Sequence, residues 1–238
     1  MNMSLEIANI RSGYYGGIDI LHDISIDVKS HKLTCILGPN GSGKSTILKT
    51  IYGFLKARSG TIRYNDEDIT GFEPHELLMK GIAYVPQERS IFPQLSVFEN
   101  LKVGAWLIRK NKRLVSESID KVFKIFPRLE ERKAVKAGNL SGGEQKMLEF
   151  GRAMILNPQT ILVDEPTAGL APKIAHEVYQ ILDQLKKEKI TILMVDQNVR
   201  QGVLFSDYIY VIDLGRIKDE GASEKFKVEM KKLIKSWI

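Results

Sequence analysis

Gly38-Pro39-Asn40-Gly41-Ser42-Gly43-Lys44-Ser45 stands between a short apolar run, Leu33-Thr34-Cys35-Ile36-Leu37, and a stretch with the apolar spacing of a helix. The octet fits G-x-x-x-x-G-K-[ST], the pattern of a loop that cradles phosphate after a strand and before a helix. Glycines at 38, 41 and 43 let backbone N–H groups turn inward where a Cβ would clash. The next helix presents its free N-terminal amides and the positive end of its dipole to the same anion. Lys44 carries a full charge toward the β- and γ-phosphates, and the Ser45 hydroxyl can ligate Mg2+. Pro39, Asn40, Ser42 and Thr46 complete the candidate phosphate contacts. Cys35 lies in a run suited to a strand buried on both faces and reads as a small core residue.

Ahead of this loop, residues 5–10 and 21–28 alternate apolar and polar side chains, the period of half-buried strands. Residues 44–55 place Ile47, Leu48, Ile51, Phe54 and Leu55 on one helical face. Strand-like pieces recur at 61–64, 82–85, 161–163, 190–195 and 208–212, and helical spacing marks 97–109, 116–126 and 174–187. Strands alternating with helices predict an α/β fold with a largely parallel sheet, interrupted by a helical block of roughly 70 residues. The expected organisation is one domain over 1–238, with a core of 1–87 and 158–238 and a helical subdomain at about 88–157. Met147, Phe150 and Met154 lie at helical intervals and read as core.

The composition excludes several classes. Hydrophobic residues make up 43% and charged residues 27%, the proportions of an ordinary folded protein. Cys35 is the only cysteine, so no intramolecular disulfide can form and a reducing compartment is expected. The net charge is 35 − 29 = +6. The basic runs, Arg109, Lys110, Lys112 and Arg113 and then Lys225 to Lys235, read as solvated helix faces. No apolar stretch approaches the roughly 20 residues that span a bilayer. The first residues, MNMSLEIANI, lack a signal-peptide layout. A cytoplasmic chain whose membrane role comes through a partner is therefore expected. His22, His31, His75 and His176 are scattered with no metal-site spacing. Phe226, Met230, Leu233 and Trp237 line one face of a lysine-rich helix, which suits docking on the domain itself or resting on anionic lipid.

Two further stretches carry chemistry. Ile161-Leu162-Val163-Asp164-Glu165 is a buried strand ending in two acids. Asp164 can help hold Mg2+, and Glu165 can accept a proton from an attacking water as general base. Leu140-Ser141-Gly142-Gly143-Glu144-Gln145 opens a helix with a serine hydroxyl and two bare backbone amides, which makes a second anion site. Two anion loops and one Mg2+ site in a chain predict that two copies close around the nucleotide.

With these residues in place the sequence resembles the ATP-binding cassette (ABC) family from about residue 5 to residue 221. Leu140 to Gln145, LSGGEQ, is similar to that family's signature, set between its Walker A (38–45) and Walker B (161–165) motifs. The resemblance implies a P-loop core with a largely parallel sheet, an antiparallel β region near the N-terminus and a helical subdomain carrying the signature. It implies that ATP is held by the Walker motifs of one subunit and by Ser141, Gly142, Gly143 and Glu144 of the other, in a head-to-tail dimer. Tyr15 resembles the aromatic that stacks on adenine, with Tyr14 a competing candidate. Gln87 resembles the glutamine that contacts Mg2+ and the attacking water and couples to the membrane subunit.

Within the family, DITGFEPHELLMKGIAYVPQERSIFPQLSVFENLKVGA, DEPTAGLAPK and FPRLEERKAVKAGNLSGGEQKMLEFGRAM look most like the ATPases of high-affinity branched-chain amino-acid importers. The chain is similar to the smaller of the two ATPases such importers use. Gln197 stands where most members carry a switch histidine. It can donate and accept hydrogen bonds but cannot become charged, which shifts catalytic weight onto Glu165. Residues 168–171 lack the aspartate common in the family's D-loop, and Lys146 reads as a surface residue. The implied activity is ATP hydrolysis that powers uptake. The implied partners are integral membrane permease subunits, a second copy or a sister ATPase, and indirectly a solute-binding protein. The implied location is peripheral, on the inner face of the cell membrane. Two alternatives stay open: a soluble ABC ATPase acting on nucleic acid or ribosomes, and the ATPase of a lipid or polysaccharide exporter. The first usually brings a second cassette, a coiled coil or a zinc-binding insertion, none of which is present here, so no nucleic acid is expected as a partner.

Overall fold

Leu33–Leu37 forms a strand in which every residue is buried, and the rest of the chain is arranged around it. A computed structural model describes residues 5–14 and 17–228. Ahead of that strand, β1 (Leu5–Ser12) and β2 (Leu21–Val28) pair antiparallel, as their alternation predicts. The strand itself is β3. It feeds through the glycine-rich loop into α1 (Lys44–Ile51), which is followed by β4 (Ala57–Tyr64), β5 (Glu67–Asp68), α2 (Pro74–Met79) and β6 (Ile82–Val85). A helical stretch follows: α3 (Val97–Gly104), α4 (Lys112–Ile125), α5 (Pro127–Glu131) and α6 (Gly142–Met154). The chain then returns as β7 (Thr160–Asp164), α7 (Pro172–Lys187), β8 (Thr191–Asp196), α8 (Val199–Phe205), β9 (Tyr208–Asp213) and β10 (Arg216–Ala222).

Two sheets result. The antiparallel one runs β2-β1-β4-β5, and the larger one β10-β9-β3-β8-β7-β6. In the larger sheet β3, β6, β7, β8 and β9 are parallel, and β10 alone is antiparallel, paired with β9. Side-chain alternation sorts the sheet's two faces. Leu33, Cys35, Leu37, Ile161, Val163, Ile192 and Met194 join the core under the helical stretch, α7 and α8. Ile36, Leu162, Leu193 and Val195 join the core under α1 and the antiparallel sheet. Burying each such side chain is worth about 1.5–3 kcal/mol, so the central strands are pinned from both sides.

Three expectations are corrected. The first helix stops at Ile51 rather than reaching Leu55, because Gly53 turns the chain with φ +78 and leaves Phe54 53% exposed. Residues 97–109 do not form one helix: α3 ends at Gly104, where even a Cβ would come within 3.1 Å of the Arg152 carbonyl, and a separate 3-10 turn covers Trp106–Ile108. α4 begins four residues earlier than predicted, where the Asn111 side chain accepts the Leu114 N–H at 3.1 Å.

Candidate nucleotide and metal site

The site sits at the carboxyl ends of β3, β6 and β7, where a parallel sheet leaves its crevice. β3 delivers the glycine-rich loop there. Gly38 accepts no side chain: a Cβ would stand 2.5 Å from the Ile212 carbonyl oxygen and 2.6 Å from Ser42 Oγ. Gly43, at φ +103, begins α1 with no side-chain cap and no acidic residue in the first turn. The first amides of α1 are thus free of a carboxylate or hydroxyl competitor, which suits them to an anion. Ser42 Oγ is buried and has no hydrogen-bond partner among the described residues. Tyr14, Ile20, Gly41, Gly43, Lys44, Ser45, Thr46 and Glu165 line one cavity over the loop.

Four predicted residues converge with Glu165. Lys44, 3% exposed, folds back so that Nζ donates to the Gly38 and Pro39 carbonyls at 2.9 Å each and lies 3.2 Å from Glu165 Oε1. Ser45 Oγ donates to Asp164 Oδ1 at 2.7 Å, and Gln87 Nε2 donates to Glu165 Oε2 at 3.2 Å. Glu165 itself adopts φ +39, a left-handed value that a glutamate holds only when its surroundings impose it. Its N–H donates to the Val195 carbonyl at 3.0 Å, which ties the residue after β7 to the end of β8.

The donor set fits Mg2+. A serine hydroxyl and a carboxylate, already in contact, are hard oxygen ligands, and Mg2+ characteristically takes one or two from protein and the rest from phosphate and water. Gln87 lines a cavity with Asp164, but its amide is directed to Glu165 rather than to the Ser45–Asp164 pair.

The second anion loop is elsewhere. The cavity over the phosphate loop includes no residue of Ser141 to Gln145. Ser141 caps α6: its Oγ accepts the Glu144 N–H at 3.3 Å while Glu144 Oε2 accepts the Ser141 N–H at 2.9 Å. Arg128 Nε holds the same carboxylate at 2.9 Å. The Ser141 N–H, with help from Arg128, keeps the Glu144 carboxyl below its ordinary value. Glu144 therefore shapes the turn, while Ser141 is exposed at its tip. Gln197 is also exposed, and no hydrogen bond joins its side chain to a described residue. Tyr15 lies outside the described residues, as do Met230, Leu233 and Trp237; Tyr14 is the described aromatic beside the loop.

Lys146, expected at the surface, is 6% exposed and pairs with Glu149 at 2.7 Å. Glu149 also accepts the Ser90 N–H at 3.1 Å, so the pair links α6 to the segment after Gln87. Two residues at the site escaped the sequence reading. Asp196, 1% exposed, accepts from Thr167 Oγ1 at 3.1 Å, Tyr179 OH at 2.7 Å and the Asn198 N–H at 2.9 Å, and so anchors the Gln197 turn. Its signal was present: TILMVD over 191–196 repeats the TILVD of β7, a buried strand ending in aspartate. Tyr84 OH donates to Asp164 Oδ2 at 2.8 Å. Burial first, and the adjacent Asp164 charge second, push the Tyr84 phenol far above its usual range, so it stays a donor.

Fold and site together define a P-loop ATPase, with lysine, hydroxyl and two acids gathered around a phosphate cradle. The ABC transporter family profile matches residues 21–168, and the chain belongs to that family. It is 44% identical over 214 residues to the high-affinity branched-chain amino acid transport ATP-binding protein BraG of Pseudomonas aeruginosa, covering 89% of this chain and 91% of that one. It is 38% identical over 222 residues to the probable branched-chain amino acid transport ATP-binding protein LivF of Archaeoglobus fulgidus, covering 93% of each. Among solved structures, the ADP conformation of an ATP-binding cassette of an ABC transporter superposes with a TM-score of 0.88 at 34% identity, over 99% of this chain and 98% of that one.

Proposed function

We propose that this chain is the ATP-hydrolysing subunit of an importer of branched-chain amino acids, working as one half of a closing pair. The observation that carries the hydrolytic reading is the Glu165 carboxylate, held between the loop lysine and Gln87 and one residue from the Asp164–Ser45 oxygen pair. The substrate class rests on the 44% identity to BraG.

Lys44 and the amides of α1 bind the β- and γ-phosphates, with Gly38 to Ser45 forming the cradle and Thr46 beneath it. Tyr14 or Tyr15 supports the adenine. Ser45 and Asp164 hold Mg2+, which when bound neutralises charge on the phosphate oxygens. Arrival of phosphate draws Lys44 away from Glu165. The freed carboxylate, with Gln87 donating beside it, orients water and accepts its proton. Gln197, on the turn anchored by Asp196, approaches from β8 and contributes a neutral hydrogen bond. Ser141, Gly142 and Gly143 of a second subunit, in a turn held by Glu144, close over the terminal phosphate. That second subunit is another copy or a sister ATPase.

The chain is expected to act as one domain, core 1–87 and 158–238 with a helical subdomain near 88–157. No helix among the described residues is long and apolar enough to cross a membrane. ABC ATP-binding subunits of this kind work with membrane permease subunits, and this chain is expected on the inner face of the membrane beneath them, with a solute-binding protein reached only through them. The test is reconstitution in proteoliposomes with the membrane subunits encoded beside it. ATP-dependent uptake of leucine, isoleucine or valine, lost with Glu165→Gln, is the expected result. Stimulation of hydrolysis by lipid or polysaccharide cargo, or by duplex nucleic acid, and not by those amino acids contradicts it.

A further inference from the structure

Asp164 is held at both of its oxygens. Ser45 Oγ donates to Oδ1 and Tyr84 OH to Oδ2, at 2.7 and 2.8 Å. The two contacts differ in what becomes of them when a cation arrives. With Ser45 and Asp164 as its ligands, a metal would require the Ser45 hydroxyl to turn its proton away from Oδ1. Tyr84, on the far oxygen, can stay. A carboxylate with one oxygen fixed by a donor presents the other in a set direction, which is how outer partners of metal ligands act.

The phenol is itself clamped. Tyr84 stands on β6, whose register sets it opposite Leu162 of β7, two residues before Asp164. Its ring stacks on Tyr52 with centroids 5.2 Å apart and planes 25° apart, and Phe54 packs edge-on against it at 5.3 Å. Phe54 also meets Tyr52 edge-on at 5.3 Å, which closes a triangle of three rings. Each such aromatic pair contributes about 0.5–1.5 kcal/mol beyond the area it buries, enough to hold the ring in one rotamer. The sequence displaced Phe54 from the α1 face where helical spacing had put it, and the turn at Gly53 delivers it to this triangle instead.

We infer that Tyr84, clamped by Tyr52 and Phe54, is the positioning residue that aims Asp164 Oδ1 at the Mg2+ of the bound nucleotide. This rests on the reading of Ser45 and Asp164 as the metal's protein ligands. Tyr84 does not line the cavity over the phosphate loop. Its substitution changes metal affinity and leaves the metal-free nucleotide contacts of Lys44 and α1 in place.

The experiment compares the parent with Tyr84→Phe, which keeps the ring and removes the hydroxyl. Mn2+ binding in the presence of ATP is followed by electron paramagnetic resonance, and ATP affinity is measured separately in EDTA. The expected result is Mn2+ affinity weakened by about 10-fold or more, the effect of losing a metal ligand's outer partner, with ATP affinity in EDTA unchanged within about 2-fold. Phe54→Ala, at a ring 53% exposed, supplies a second variant that leaves the Tyr84 hydroxyl in place. It is expected to weaken Mn2+ binding several-fold. Unchanged Mn2+ affinity in both variants, or equal losses of ATP affinity with and without metal, overturns the assignment. If the parent itself binds ATP and Mn2+ independently of each other, the reading of the Ser45–Asp164 site fails first, and the inference falls with it.

Discussion

Replacing Glu165 by glutamine separates two roles proposed for one carboxylate. Glu165 Oε1 lies 3.2 Å from Lys44 Nζ, with both side chains buried. The gross attraction is ~5 kcal/mol at an effective dielectric of about 20. Most of that is offset by desolvation, and hydrogen bonds to charged groups retain about 1.5–3 kcal/mol net. Phosphate must compete with that contact for Lys44. Glu165→Gln keeps the shape and the Gln87 contact but removes the charge, so Lys44 is released at lower cost. ATP affinity measured in EDTA is then expected to rise about 10-fold, since each 1.4 kcal/mol is tenfold. The same substitution removes the proton acceptor, and phosphate release under saturating Mg2+ and ATP is expected to fall at least about 100-fold. The two effects run in opposite directions, which a general loss of fold cannot imitate. Turnover within about 3-fold of the parent removes Glu165 from the base role, and weaker ATP binding in EDTA refutes the competition for Lys44.

Other substitutions probe the frame around the site. Gly38→Ala pushes a Cβ to 2.5 Å from the Ile212 carbonyl and is expected to cost about 1–3 kcal/mol in urea unfolding, with ATP affinity down at least about 10-fold by calorimetry. Lys146→Met removes the ammonium partner of the buried Glu149 carboxylate, which keeps the Ser90 N–H, and is expected to cost about 3–5 kcal/mol in the same assay, and a loss under 1 kcal/mol contradicts the buried pair. Glu144 has a depressed carboxyl, so its charge stabilises fully above the ordinary 4.5 and that contribution fades as pH falls through its lower folded value. Thermal melts of Glu144→Gln are therefore expected to lie below the parent at pH 7, by about 1 kcal/mol of stability, and to converge on it as pH drops below 4.5.

Much of this was legible in the chain because burial wrote it there. β3, β7 and β8 are short, largely apolar runs buried at every position, and only a strand covered on both faces needs that. The phosphate loop was legible because its glycines serve backbone geometry that no other residue tolerates, as at Gly38. β10 was missed for the opposite reason. RIKDEGA alternates between exposed and half-buried positions, and its pairing comes from the Leu214–Gly215 turn, both at positive φ, rather than from an apolar face. Lys146 was misread because a lysine's spacing says nothing of a buried partner three residues on. Tyr84 and Asp164 are 80 residues apart in sequence, and only the β6–β7 pairing brings them together.

In the proposed function one subunit supplies the phosphate cradle and another supplies the signature turn that closes it. Cys35 is the only cysteine and is fully buried, so introduced thiols can be read without interference. Asn40→Cys and Ser141→Cys, both at exposed positions, placed together in the Glu165→Gln background and oxidised mildly, report whether the two surfaces meet. Cross-linked dimer that forms with Mg2+ and ATP, and is absent without nucleotide, is the result predicted. Cross-linking that is equal with and without nucleotide, or that stays within one chain, contradicts it.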